Sequence, residues 1–492
     1  MKTLPALWFD ACPWIDGKSE PGLPPVEIRN PATTELITRV SFADETCVLR
    51  AISGAVSAQQ EWSRTSPADR GTALKRIAEA LVVRKDEIAC LLTAEQGKPY
   101  AQAVAEVEYA ASFFQWFGEE SRRVSGRVAP HPEADREFLI HHKPVGVAAL
   151  ITPWNFPLAQ GAKKMAAALA AGCAVVWKPS ELTPLTALAI APLLREAGLP
   201  DGVVQIVPGE GASLGTTLAA HPAVRVLSVT GSTATGSSVM SAAAAGIKRV
   251  SLELGGNAPF IILPDADLDF VADQLTRLKL FVSGQVCVTA NRIFVPAQLE
   301  KQLTDLLCKK FGDARVGNGL FPNIDAGPLI HARACAKVRQ LVEDAVSQGA
   351  RIIFENSSFT RDPTLARGSF FPPTILTGVH DNMRVAREEI FGPVLPILTY
   401  TNASDAVRRA NDTPYGLAAY VYGTDLSQCR AVASRLEAGI VAVNEWRPLK
   451  AEIPFGGIKQ SGIGAEGGQE GIREFLDTQV ISIPIPRFEP PQ

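Results

Sequence analysis

Apolar and polar positions change rhythm twice along this chain. Residues 1 to about 45 keep no period and carry turn signals at Asp16-Gly17 and Asn30-Pro31, which predicts an irregular N-terminal arm. From Ala43 to Val124 the apolar positions recur at helical spacing, predicting helices over 46–65, 67–84, 86–95 and 100–120. Ser66 or Pro67 opens the second, and Gly97-Lys98-Pro99 stops the third. Arg127-Val128 and 137–141 alternate like strands around a polar turn at 130–135, a hairpin that leaves the main body. From Val147 apolar strands alternate with helices. The strands fall at 147–152, 174–177, 203–207, 224–229 and 249–254, and the helices begin near Asn155, Thr183, Gly211 and Thr233. Buried Val/Ile/Leu strands in this alternation predict a parallel, doubly wound α/β sheet. A second α/β set follows from Pro259, with strands at 260–263, 293–295, 350–354, 394–400, 418–422 and 440–444, and helices from Leu268 and at 297–311, 332–348, 403–410 and 426–436. A tail strand at 480–484 is free to pair with the hairpin or with a neighbouring subunit.

Composition narrows the classes. The chain has 492 residues, 46% hydrophobic and 20% charged, which is globular composition and too long for one small core. A net charge of -3 with no basic stripe argues against a nucleic-acid partner. No run of 18 apolar residues suggests a membrane span, and the first ten residues hold too short an apolar core for a signal peptide. The eight cysteines are scattered, with no CxxC, and the six histidines form no i,i+4 pair. This suggests neither a metal site nor a disulfide framework, and it points to a reducing, cytoplasmic setting.

Chemistry gathers where strands end, the place at which such sheets bind ligands. Cys287 follows a small-residue turn, Ser283-Gly284-Gln285-Val286, between a helix and an apolar strand. That suits a presented nucleophile, although a lone cysteine equally fits a buried structural thiol. Thr152-Pro153-Trp154-Asn155-Phe156-Pro157 ends one strand; its asparagine is either an amide donor or a helix N-cap. Trp177-Lys178-Pro179-Ser180-Glu181 ends the next. A carboxylate there accepts a ribose 2′-hydroxyl and repels a 2′-phosphate, while the same residues also fit a helix cap. Val229-Thr230-Gly231-Ser232 is a strand, glycine turn and helix start of the kind that receives phosphate; Ser237 stands where a P-loop has lysine. Glu253-Leu254-Gly255-Gly256 offers a carboxylate to a cavity or to a salt bridge. Among the aromatics of the fourth helix, most are core, with Phe113 or Trp116 as candidates for a cavity wall.

Taken together, these stretches resemble the aldehyde dehydrogenase superfamily, in its hydrolytic branch that does not acylate coenzyme A. Glu388-Glu389-Ile390-Phe391-Gly392-Pro393, 411–416 and Pro454-Phe455-Gly456-Gly457 through Gly462 extend the likeness from about Asp16 to Ile483. The resemblance implies a dinucleotide-binding domain over 1–121 and 144–253, a catalytic domain over 254–460, and a small β oligomerisation arm over 122–143 and 476–492. It implies Cys287 as nucleophile, Asn155 as oxyanion donor with the Cys287 backbone N–H, Glu253 as the base that activates water, and Lys164 in proton relay, with plain helix surface as the alternative for Lys164. NAD, with NADP possible, would be held by Ile151, Thr152, Pro153, Trp154, Lys178, Ser180, Glu181, Gly211, Gly231, Ser232, Leu254, Glu389 and Phe391. Phe156, Phe281, Trp446 and Phe455 would line the substrate tunnel. These apolar walls point to an aromatic or medium-chain aliphatic aldehyde, whereas Gln160, Lys163, Arg447 and Lys450 near the entrance suit an acidic or hydroxylated one, or are merely solvated. Succinate-semialdehyde relatives carry arginine six residues before the nucleophile, where Phe281 stands here, and a second cysteine where Thr289 stands. A semialdehyde- or hydroxyaldehyde-specific enzyme and a cofactor-independent cysteine esterase are the competing readings. A homodimer or homotetramer is implied, with dimer and tetramer left open.

Overall fold

The computed structural model describes residues 2–485. The last seven residues of the expected arm, 486–492, lie outside them. Two sheets carry the architecture. The first runs Gly462–Ile463, Arg249–Glu253, Val224–Thr230, Val147–Ile151, Ala174–Lys178, Val204–Ile206, Trp14–Ile15, Lys18–Ser19. Its five inner strands are parallel and its edges antiparallel. The second runs Arg351–Glu355, Thr374–Thr377, Val394–Tyr400, Ala290–Pro296, Ala258–Ile262, Ala418–Tyr422, Ile440–Val443, parallel except at its first strand. The central strands Val147–Ile151, Ala174–Lys178, Ala258–Ile262 and Ala418–Tyr422 are buried along their whole length, which is why their sequences are unbroken apolar runs rather than alternating ones.

The four early helices form as Glu45–Trp62, Pro67–Val83, Lys85–Gln96 and Tyr100–Glu120. Asp44 and Ser66 cap the first two by accepting from Cys47 N–H and Asp69 N–H. The hairpin forms as Arg127–Pro130 and Arg136–Pro144, and Leu476–Pro484 pairs along all nine residues of its second strand. That tail strand begins four residues before the sequence expectation, because its exposed polar residues are fixed by the ladder and not by burial.

Other departures bear on the site. The N-terminal arm is not irregular: Trp14–Ile15 and Lys18–Ser19 extend the first sheet, and Val26–Arg29 pairs with Leu36–Val40. The strand Thr374–Thr377, unread in the sequence, lies behind Phe370-Phe371-Pro372-Pro373. The helix expected near Asn155 begins only at Ala159, so Asn155 is not its N-cap. Pro157 disfavours helix at Phe156. The first turn is instead capped from another element: Glu106 Oε1 accepts from Leu158 N–H (3.0 Å) and Ala159 N–H (3.2 Å).

Candidate active site

The helix Leu268–Leu280 gives way to a tight turn, Phe281–Gly284, in which Val282, Ser283 and Gly284 have φ of 50°, 55° and 74°. A left-handed non-glycine residue costs about 1–2 kcal/mol, so this turn persists only because it is tied down. Val282 N–H donates to Gln102 Oε1 (2.8 Å), and Ser283 Oγ to the Gly327 carbonyl (2.8 Å). Gln285 spans the turn, donating to the Val282 carbonyl (3.0 Å) and accepting from Ile330 N–H (2.9 Å). Gly284 is required, since a Cβ there would lie 2.3 Å from the Gly392 carbonyl oxygen. Gly256 is required for a related reason: its Cβ would lie 2.2 Å from the carbonyl oxygen of Cys287. Gly256 is thus the surface on which the Cys287 backbone rests, while a Cβ on Gly255 would lie 3.0 Å from the Glu389 carboxylate.

Cys287 is half-buried and unpaired. Burial, joined by the negative charge of Glu389, pushes its thiol up to about 12. The Asn155 side chain is buried, and its amide donates to the Gln285 carbonyl (2.9 Å), two residues from the cysteine. Its Oδ1 has no hydrogen-bond partner among the described residues. Lys98 fixes the backbone here by donating to the Asn155 carbonyl (2.7 Å).

Glu253 ends the strand Arg249–Glu253 and is 2% exposed, yet neither carboxylate oxygen has a hydrogen-bond partner among the described side chains and backbone. It forms no salt bridge with any described residue, against that reading of the sequence. Burial, then the charge of Glu466, raises its pKa well above the ordinary carboxylate value, against the pull of Lys163 and Lys164. Those two lysines, on the helix Ala159–Ala171, both pair with Glu466. Lys164 is fully buried and also donates to Ser228 Oγ (3.1 Å), so it is not helix surface. Burial works against ionisation of Glu466, but the two ammonium groups outweigh it and hold the carboxyl low.

Two cavities meet at the cysteine. One, of about 700 Å³, is walled by Phe156, Phe281, Trp446 and Phe455 together with Tyr109 and Leu449. All four tunnel aromatics expected from the sequence lie here; the rings of Phe156 and Phe281 are 5.8 Å apart, and Phe281 meets Trp446 edge-on at 5.7 Å. The other, of about 1190 Å³, is lined by Pro153, Trp154, Gly231, Ser232, Leu254 and Glu389, with Phe391 against Trp154 at 5.5 Å. Cys287 and Gln160 line both.

The second cavity fits a dinucleotide. Ser232 caps the helix Thr233–Ala244, whose N-terminus opens beside Gly231. Glu389 accepts from Gly256 N–H (3.2 Å), and burial raises its pKa to about 7. Lys178 donates to Glu181 (3.0 Å), and a Cβ on Gly211 would come within 3.5 Å of the ammonium, so these three form one cradle. Three other expected cofactor residues make contacts within the chain. Ile151 packs in the core, Thr152 Oγ1 accepts from the Trp177 indole (2.9 Å), and Ser180 Oγ accepts from Leu182 N–H (3.2 Å). Neither Phe113 nor Trp116 lines either of these cavities: Phe113 is core, and Trp116 donates to the Gly468 carbonyl (3.1 Å). Tyr109, one turn earlier than Phe113, takes that place. Glu466, Tyr109, Lys337, Leu449, His331 and Arg333 are among the site residues that sequence reasoning missed; helical spacing from Phe113 offered a signal for Tyr109. Lys163, expected at the entrance, lines the first cavity and is buried against Glu466, whereas Lys450 is exposed.

Comparison with known proteins agrees with this geometry. The chain is 40% identical over 470 residues to the glutarate-semialdehyde dehydrogenase of Pseudomonas aeruginosa, covering 96% of each. It is 41% identical over 472 residues to the NADP(+) succinate-semialdehyde dehydrogenase of Escherichia coli, again covering 96% of each. The crystal structure of betaine aldehyde dehydrogenase from Staphylococcus aureus in complex with NAD+ superposes with a TM-score of 0.94 at 34% identity, covering 97% of this chain and 95% of that one. The model of the aldehyde dehydrogenase family matches residues 14–481, and the chain belongs to that family.

Proposed function

We propose that the protein oxidises a semialdehyde, an aldehyde with an anionic group at its far end, to the corresponding acid. The observation that carries the reaction is the placement of Cys287 between an aromatic-walled cavity and a dinucleotide-shaped cleft. The thiol gives up its proton to solvent water and the thiolate adds to the aldehyde carbon. The Asn155 amide and the Cys287 N–H receive the charge that develops on oxygen. NAD, or NADP, supplies the hydride acceptor when bound, held by Lys178, Glu181, Gly231, Ser232 and Glu389. Glu253 then takes a proton from the water that cleaves the thioester on Cys287, and Lys164 with Glu466 passes it onward. Glu181 favours NAD, and its existing pairing with Lys178 leaves NADP admissible.

The named relatives weigh against the aromatic or medium-chain aldehyde that the apolar walls first suggested. Glutarate- and succinate-semialdehyde dehydrogenases are named for substrates with a remote carboxylate. The cavity supports the same class: Lys163 and Arg447 are among its lining residues, and no aspartate or glutamate is. A cofactor-independent esterase would leave the second cavity without purpose. The decisive test is NADH or NADPH formation with succinic semialdehyde, butanal and benzaldehyde in wild type and in Cys287→Ala. Turnover is expected with succinic semialdehyde foremost, and Cys287→Ala should lose at least about 10⁴-fold while still binding NAD. Ester cleavage without reduction of either dinucleotide by any aldehyde would overturn the reading.

We also propose a homo-oligomer built through the three-stranded arm, in which Ile481, Leu139 and Val128 stand in register across Leu476–Pro484, Arg136–Pro144 and Arg127–Pro130. Val128 is 63% exposed and Ile481 40%, a row of apolar side chains for a second copy to cover.

A further inference from the structure

We infer that Arg447 is the residue that receives the anionic end of the substrate, a carboxylate or a sulfonate. This rests on the semialdehyde reading and names its anchor. The arginine that semialdehyde relatives place six residues before the nucleophile is Phe281 here, so an anion-binding site, if built, needs its cation from elsewhere. Arg447 supplies one at the same spot by another route. Its guanidinium lies 5.2 Å over the Phe281 ring, and it lines the cavity that ends on Cys287. It comes from the segment after the strand Ile440–Val443, on the far side of the sequence from the nucleophile turn.

What separates Arg447 from the other cations is that it has no counter-charge paired with it among the described residues. Lys163 also lines the cavity and covers the Phe455 ring at 4.2 Å, but Glu466 already holds its ammonium. Lys98, over the Phe156 ring at 4.1 Å, is paired with Glu106. Arg447 makes no salt bridge and no hydrogen bond to any described residue. Its charge is nonetheless felt beside the cavity: burial is the main reason that the Lys98 ammonium titrates low, and Arg447 adds to it. A guanidinium laid on an aromatic face is partly desolvated and keeps its edge donors free. That edge matches a carboxylate or sulfonate in bidentate fashion and stands opposed to a cationic tail. Phe281 therefore becomes the platform for an arginine in place of being one.

The experiment is the ratio of kcat/KM for succinic semialdehyde to that for butanal, in wild type, Arg447→Gln and Arg447→Lys. Wild type should favour the anionic aldehyde, Arg447→Gln should lower the ratio about 10- to 100-fold, and Arg447→Lys should recover part of it. Using a ratio separates lost recognition from lost folded enzyme. In wild type the KM for succinic semialdehyde should also rise with ionic strength while that for butanal does not. A wild-type ratio near or below one would remove the semialdehyde reading and the anchor with it. A high wild-type ratio that Arg447→Gln leaves intact, or a KM indifferent to salt, would overturn the anchor and leave the reading standing.

Discussion

At the scale of single residues, the reaction turns on groups whose titration is displaced by burial. Glu253 is the clearest case. Its raised pKa means that it is protonated, and unable to accept a proton from water, over a range in which an exposed glutamate is already ionised. Thioester hydrolysis should therefore rise with pH through that raised value, with an acid limb lying above 4.5, and Glu253→Gln should flatten the limb. In rapid mixing, Glu253→Gln should give a burst of reduced dinucleotide and then a slow phase, hydrolysis being lost more than hydride transfer. Equal loss of both phases would remove Glu253 from the water step. Cys287, after a small-residue turn, and Asn155 and Glu253, at or just past strand ends, could be singled out in the sequence only because the motifs around them fall together in one family's order; each alone fitted a structural role as well. Glu466 could not. It lies in a glycine-bounded stretch without period, and its meaning comes from two lysines some 300 positions earlier that only the fold brings to it.

At the scale of elements, the helix Tyr100–Glu120 holds both halves of the site. Glu106, on this helix, and Lys98, just before it, form a buried pair (2.5 Å); Glu106 caps the helix that carries Lys163 and Lys164, and Lys98 fixes the carbonyl of Asn155. Gln102, one turn from Glu106, ties down the strained residue Val282. Lys98→Met should cost about 3–5 kcal/mol in denaturant titration, because it strands a buried carboxylate. It should also lower kcat for the aldehyde more than it changes KM for the dinucleotide, since Asn155 loses its backbone tether. A stability loss with kcat intact would make the pair purely structural. The long helices and most inner strands were readable from period and apolar runs to within a few residues; the inner strand Thr374–Thr377, four residues long, was not. The short edge strands near the N-terminus were not, because strands of two residues carry no period and exist only through their partners.

At the scale of the whole molecule, the arm formed by the hairpin and the tail strand lies apart from the chemistry. Val128→Asp with Ile481→Asp should lower the mass seen by light scattering to that of one chain, and an unchanged mass would place the subunit contact elsewhere. The described helices include none long and apolar enough to cross a membrane. The class of fold followed from the sequence; the order of strands within each sheet and the convergence of two cavities on one sulfur did not, because both depend on how elements distant in the chain approach one another. That convergence has a consequence for how such a chain can change over time. Gln160 and Cys287 are the side chains common to both linings. Replacements at Phe281, Trp446, Arg447 or Leu449 can thus redirect the enzyme to a new aldehyde without disturbing its grip on the dinucleotide. New substrates are open to it in small, separable steps.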